Sequence, residues 1–123
     1  TSIGIPVVYY GEEVGRAGGD WPDNRSDMPW GDRSVEPGAG LLRDEMLFRD
    51  YQRLIAIRRQ FPALSRGTYA SVLADADVLA FARQDAASGE SVLVAVNRGA
   101  TARVVSLSLP SAGKVDYFTM HGA

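Results

Sequence analysis

The run Ile5-Pro6-Val7-Val8-Tyr9-Tyr10 constrains the fold more than any other stretch of the chain, because its β-branched and aromatic residues follow one another without apolar/polar alternation. A strand with one wet face alternates, whereas an unbroken run suits a strand buried on both faces, as in a parallel sheet. The run therefore wants neighbours on each side. The chain opens on Thr1 and offers nothing before the run to pair with it. Its 123 residues fit one globular unit, or pieces of two, better than a complete large enzyme. The expectation is a fragment of a longer protein.

Charge and composition remove several partner classes. Lys and Arg number 13 against 15 Asp and Glu, for a net charge of -2, and the arginines are scattered from Arg16 to Arg103. That leaves no basic footprint for nucleic acid. No apolar stretch approaches the roughly 20 residues of a membrane-spanning helix, so no membrane partner is expected. The chain has no cysteine, which excludes a disulfide framework and thiolate metal sites but leaves the compartment open. Localisation is left unassigned between cytoplasmic and secreted.

From Gly11 to Gly40 the sequence is dense in Gly, Pro, Asp and Asn, with Gly18-Gly19-Asp20 and Trp21-Pro22-Asp23-Asn24 at its centre. A loop of about 30 residues is rare in a compact domain unless it binds or gates something. The spacing of Leu47, Tyr51, Leu54, Ile55 and Phe61 then predicts a helix over Leu42 to Gln60. Glu45 with Arg49 and Asp50 with Arg53 are the expected ion pairs of its solvated face. Pro62 biases Phe61 away from helical geometry and ends it. Beyond Gly67, strands are predicted at Thr68 to Leu73, Val78 to Arg83, Ser91 to Asn97, Arg103 to Leu109 and Val115 to Phe118. Turn chemistry joins them at Ala74-Asp75-Ala76-Asp77, Ala86-Ala87-Ser88-Gly89 and Arg98-Gly99.

Few residues have the arrangement that catalysis needs. Glu12-Glu13 invites a paired-carboxylate reading, but neighbours on an extended chain point to opposite sides, and a glutamate fixing the loop backbone is the better reading. His121 is the only histidine, so neither a triad nor a zinc spacing is available. Gly38-Ala39-Gly40 opens like a phosphate-binding fingerprint but has Arg43 where the third glycine is required, and it reads as the lead into the helix. No residue is assigned to catalysis or to metal. The loop residues Asp20, Trp21, Asp23, Asn24, Arg25, Asp27 and Trp30 suit sugars instead. An indole covers the C–H face of a pyranose while Asp, Asn and Arg bond its hydroxyls. The competing reading is a loop tied by its own Asx-turns with the tryptophans tucked beneath.

The order of residues carries a resemblance. Gly4-Ile5-Pro6-Val7-Val8-Tyr9-Tyr10-Gly11-Glu12-Glu13-Val14-Gly15 resembles the G-x-P-x-x-Y-x-G-x-E segment at the eighth barrel strand of the α-amylase family of glycoside hydrolases, family 13. Gly18-Gly19-Asp20-Trp21-Pro22-Asp23-Asn24-Arg25 with Met28-Pro29-Trp30 is similar to the loop after that strand. Tyr51 to Arg59, with Phe61-Pro62-Ala63-Leu64 and Gly67, resembles the last barrel helix and its exit. Within the family, the maltogenic amylase, cyclomaltodextrinase and neopullulanase group is nearest.

The resemblance implies an α+β chain: residues 1–66 as the last strand and helix of a (β/α)8 TIM barrel, and residues 67–123 as an antiparallel β-sandwich whose closing strand is expected to be absent. The complete protein would cleave α-1,4 or α-1,6 glucosidic bonds of starch-derived oligosaccharides or cyclodextrins with retention. The reacting carboxylates would lie on other barrel strands, leaving this chain inactive alone and dependent on the remainder of the barrel. Two alternatives stay open, a glucosyl or maltosyl transferase or isomerase of the same family, and a non-catalytic glucan-binding or structural β domain. Gly4, Pro6, Tyr9, Gly11 and Glu13 carry over as structural positions. Arg25 matches the arginine of the family's D-P-x-N-R pattern, but Trp21 stands where its aspartate is expected, with Asp20 one step earlier. Either Asp20 substitutes, or Trp21 stacks on a sugar. No cofactor is expected, with calcium in the complete enzyme left open. Ile5 to Tyr10 would be an inner barrel strand, and a water-facing position, or packing entirely by the residues present here, would count against the family assignment itself.

Overall fold

A computed structural model describes residues 3–108. The order of elements is two single-turn 3-10 helices, Glu12–Val14 and Asp23–Arg25, then helices α1 (Glu45–Gln60) and α2 (Pro62–Arg66), then strands β1 (Thr68–Ala74), β2 (Val78–Asp85) and β3 (Glu90–Asn97). The chain is thus α+β, and it divides into two compact units, Thr1–Gln60 and Phe61–Ala123.

In the first unit the apolar run departs from expectation. Residues 5–10 form no strand and face water, with Ile5 91% and Val7 86% exposed. The physical reason is pairing: a strand exists only through ladder bonds to a neighbour, and the one sheet among the described residues is built wholly from β1, β2 and β3. Helix α1 begins at Glu45, three residues later than the periodicity places it. Asp44 sets the start, because its Oδ1 accepts from the backbone N–H groups of Met46 and Leu47, both at 2.9 Å. These are the donors that a helix leaves without intrahelical partners. The Asp44 N–H in turn donates to the carbonyl of buried Val14. No residue of α1 is fully buried; on its predicted apolar face Leu47 and Tyr51 are half-buried while Leu54 and Ile55 stay exposed. Glu45 is not held by Arg49 as the spacing predicts; its carboxylate pairs with Arg43 and Arg33. Gly38-Ala39-Gly40 lies ahead of the helix, as expected, and Ala39 there bridges Gly31.

The second unit is a β1-β2-β3 antiparallel sheet with α2 against β2 and β3. Phe61 is extended, as a residue before proline should be, and the helix resumes with Pro62 at its first position, where no N–H is missed. The next N–H, that of Ala63, donates to Glu90 Oε1 at 2.7 Å. Ala63 and Leu64 are buried with Val78, Ala80, Phe81 and Ala82 of the central strand, which make up the core here. Two of the three predicted turns close hairpins: Asp75 Oδ1 accepts from the N–H groups of Asp77 and Val78, and Gly89 takes a positive φ of 71° where the second hairpin closes on Asp85 and Glu90.

The predicted strand from Arg103 is not formed over residues 103–108, which lack a ladder partner among the described residues. Its alternation nevertheless survives, Val105 and Leu107 being half-buried and Ser106 and Ser108 exposed. Leu109, the strand predicted at Val115 to Phe118, and His121 lie outside the described residues.

Candidate functional site

The loop after the apolar run is organised around residues 9–26. Gly11, at φ 88°, and Gly15, at φ 74°, flank the first 3-10 turn and let the chain reverse where a side chain would be strained. The two glutamates of that turn both serve the backbone. Glu12 Oε2 accepts from the Tyr9 N–H at 3.2 Å, and Glu13 Oε2 from the Gly11 N–H at 2.9 Å. The two do not alternate across an extended chain as expected, because Glu12–Val14 is a 3-10 turn. Both carboxylates are spent on holding the turn.

A second 3-10 turn carries Arg25. The Arg25 N–H donates to the Pro22 carbonyl at 2.9 Å and the Ser26 N–H to that of Asp23 at 3.2 Å. The Arg25 guanidinium lies 5.1 Å from the centroid of the Trp21 ring, within cation–π range. Trp21 is 71% exposed, so it is not tucked under the loop. Asp20 is exposed, and its carbonyl accepts from the Asn24 N–H at 3.2 Å. The structure therefore brings Trp21 and Arg25 together on a wet surface with Asp20 at the start of the same turn. Trp30 belongs to a different loop segment, where its N–H donates to the Gly38 carbonyl.

Tyr9 and Tyr10 reach this turn from below. The Tyr9 hydroxyl donates to the Asn24 carbonyl at 3.3 Å and that of Tyr10 to the Ser26 carbonyl at 2.9 Å. Gly4 accepts from the Arg58 guanidinium through its carbonyl, at 3.0 Å. Arg16, which the sequence does not single out, joins the tyrosines. Its partners are backbone carbonyls, and no residue type or spacing marks those in advance. An exposed aromatic face beside a guanidinium can bind a polyhydroxylated ring by stacking and directed hydrogen bonds. Among the described residues, no group of three or more Asp, Glu, His or Cys side chains is placed to hold a metal ion, and no helix is long and apolar enough to cross a membrane.

Comparison with known proteins decides the family. The chain is similar to a cyclomaltodextrinase of Geobacillus thermopakistaniensis, 33% identical over 116 residues, covering 93% of this chain and 18% of the relative. It is similar as well to neopullulanase 2 of Thermoactinomyces vulgaris, 32% identical over 113 residues, covering 92% of this chain and 18% of the relative. This chain carries α-amylase-family sequence. A cyclomaltodextrin glucanotransferase of Klebsiella oxytoca is 32% identical over 123 residues, covering 90% of this chain and 17% of the relative. No protein-family profile matches the chain. The α-amylase-family chain spans less than a fifth of the length of these curated relatives. The water-facing position of Ile5 to Tyr10 counts against the inner barrel strand and against the assignment built on it; membership of the family rests instead on the similarity along 93% of the chain.

Proposed function

We propose that this chain belongs to a longer α-amylase-family enzyme that cleaves α-1,4 or α-1,6 glucosidic bonds of starch-derived oligosaccharides or cyclodextrins with retention. The observation that carries the reading is the similarity, over more than nine tenths of the chain, to proteins named cyclomaltodextrinase and neopullulanase. Residues 1–66 form the eighth-strand end of a (β/α)8 barrel, and residues 67–123 a trailing β-sandwich domain. In barrels of this type the loop after a strand lies at the functional end, which puts Asp20, Trp21 and Arg25 at a glucan-binding wall. The carboxylates that break the bond come from other segments of the barrel, and the exposed apolar run Ile5 to Tyr10 meets its neighbours there.

Mechanistically, Trp21 presents its ring to the apolar face of a glucose unit while Arg25 and Asp20 bond its hydroxyls. Bond energy collected there, away from the scissile bond, orients the substrate toward the reacting groups. A transferase reading has its own support in the similarity to a cyclomaltodextrin glucanotransferase. It keeps the same wall and changes only the acceptor, from water to a second sugar. Product analysis of the full-length protein with a cyclodextrin, pullulan and maltotriose tests both. Short linear products with retained α configuration support hydrolysis, and longer or cyclic products support transfer. Binding without cleavage would leave only an accessory glucan-binding role.

A further inference from the structure

We propose that Arg16 is a positioning residue that sets the affinity of the Trp21 and Arg25 surface for glucan, by holding the 23–26 turn against Tyr9 and Tyr10; this rests on the glucan-binding reading above. The turn that bears Arg25 is a single 3-10 turn of three residues, an element with too few internal bonds to hold its place unaided. Its carbonyls are held from outside. Arg16 Nε donates to the Ser26 carbonyl at 3.1 Å, and an Arg16 terminal nitrogen to the Asp23 carbonyl at 3.4 Å. The Tyr10 hydroxyl shares the Ser26 carbonyl and the Tyr9 hydroxyl takes that of Asn24.

The guanidinium also stacks, with its carbon 4.5 Å from the Tyr10 ring centroid and 6.0 Å from that of Tyr9. A planar cation with donors on two edges satisfies the stack and both carbonyls at once, which a lysine ammonium cannot do in one geometry. Room for the stem is made by Gly11. A Cβ there would stand 2.5 Å from Arg16 Cδ and 2.8 Å from Arg16 Cβ. The Arg16 N–H donates back to the Gly11 carbonyl at 2.8 Å. Arg16 is therefore fixed at its root by Gly11 and at its tip by the turn. It touches neither Trp21 nor sugar in this scheme, and acts through the backbone that places Arg25.

The test uses the full-length protein with maltotriose. Arg16→Met keeps the length of the stem and removes both donors. The expected result is a KM raised about three- to tenfold, with the effect falling on KM and not on kcat, and with Arg16→Lys in between. In an Arg25→Ala background the Arg16→Met change adds less than it does in the parent, because one of the two side chains that the turn presents is already gone. An unchanged KM in Arg16→Met, with KM raised in Arg25→Ala, overturns the positioning role and leaves the glucan site standing. A silent Arg25→Ala overturns the glucan site and this proposal with it. A kcat that falls together with thermal stability while KM holds also overturns it, by assigning Arg16 a structural role alone. Should Arg16→Met fail to fold, Arg16→Lys decides: a raised KM supports the proposal and an unchanged KM overturns it.

Discussion

Arg66 and Asp85 are joined by an ion pair of 2.8 Å between the end of α2 and the end of β2. A second guanidinium nitrogen donates to the same carboxylate oxygen at 3.2 Å, and Ser88 Oγ adds a third bond at 2.7 Å. The other end of α2 is held by Glu90, which accepts from the Ala63 N–H. Two acidic residues bracketing one hairpin, Asp85 and Glu90, thus pin both ends of a five-residue helix. Such a helix is too short to stand by its own bonds; its place on the sheet comes from these two carboxylates and from buried Ala63 and Leu64.

The first prediction follows from that pair. The hydrogen bond from Arg66, with the one from Ser88 next, holds the Asp85 carboxyl down from 3.8 to about 2. A carboxyl lowered on folding stabilises the fold fully above its unfolded pKa and loses that contribution as pH falls through the folded value. Thermal unfolding followed from neutral pH downward should show the β unit losing stability between 3.8 and about 2. Asp85→Asn should lower the melting temperature at neutral pH, and its gap from the parent should close across that same window. A gap independent of pH would remove Asp85 as the titrating group.

Gly67 joins α2 to β1 at a place with no room for a side chain. A Cβ there would stand 2.5 Å from the Ala63 carbonyl oxygen and 2.6 Å from that of Gln84. Both are backbone atoms, so neither can swing aside. The Gly67 carbonyl also accepts from buried Arg83 at 2.8 Å. Gly67→Ala should therefore destabilise the β unit by about 1 to 3 kcal/mol, the usual range for overpacking, read as a lower denaturation midpoint with unchanged slope.

Phe81 sits in the middle of β2, is 5% exposed, and stacks on Tyr69 with ring centroids 5.1 Å apart. Phe81→Ala should cost about 3 kcal/mol, the lower part of the range for a buried aromatic, because Tyr69 is itself partly exposed and that side can relax. Phe81→Leu should recover more than half of the loss in the same denaturation measurement.

The β hairpins were legible because what makes them is local. Asp75 bonds its own turn, Gly89 supplies the positive φ, and the strands between alternate or run apolar over seven or eight residues. The start of α1 was legible too, in Asp44 as a capping residue, but a periodicity argument weighted toward Leu42 passes over it. Ile5 to Tyr10 reads as a strand since β-branched and aromatic residues favour that shape, yet shape without a partner makes no sheet. At the candidate site Trp21 and Arg25 were visible as residue types suited to sugar. Arg16 was not, because an arginine that serves backbone carbonyls seven and ten residues away leaves no pattern in the sequence.

The last prediction concerns Arg25 itself. Its guanidinium is already stacked on Trp21, so its donors are oriented before any sugar arrives, and little rotamer freedom remains to be lost on binding. In the full-length protein, Arg25→Ala should raise KM for maltotriose and longer maltodextrins. A lost hydrogen bond to a charged donor is worth about 1 to 3 kcal/mol, and the exposed setting favours the lower end, roughly five- to tenfold. Trp21→Ala removes the stacking face and the brace for Arg25 together, so its effect on KM should equal or exceed that of Arg25→Ala, and the double variant should cost less than the sum. Purely additive losses would mean that the two side chains act independently and that the stack seen here has no part in binding.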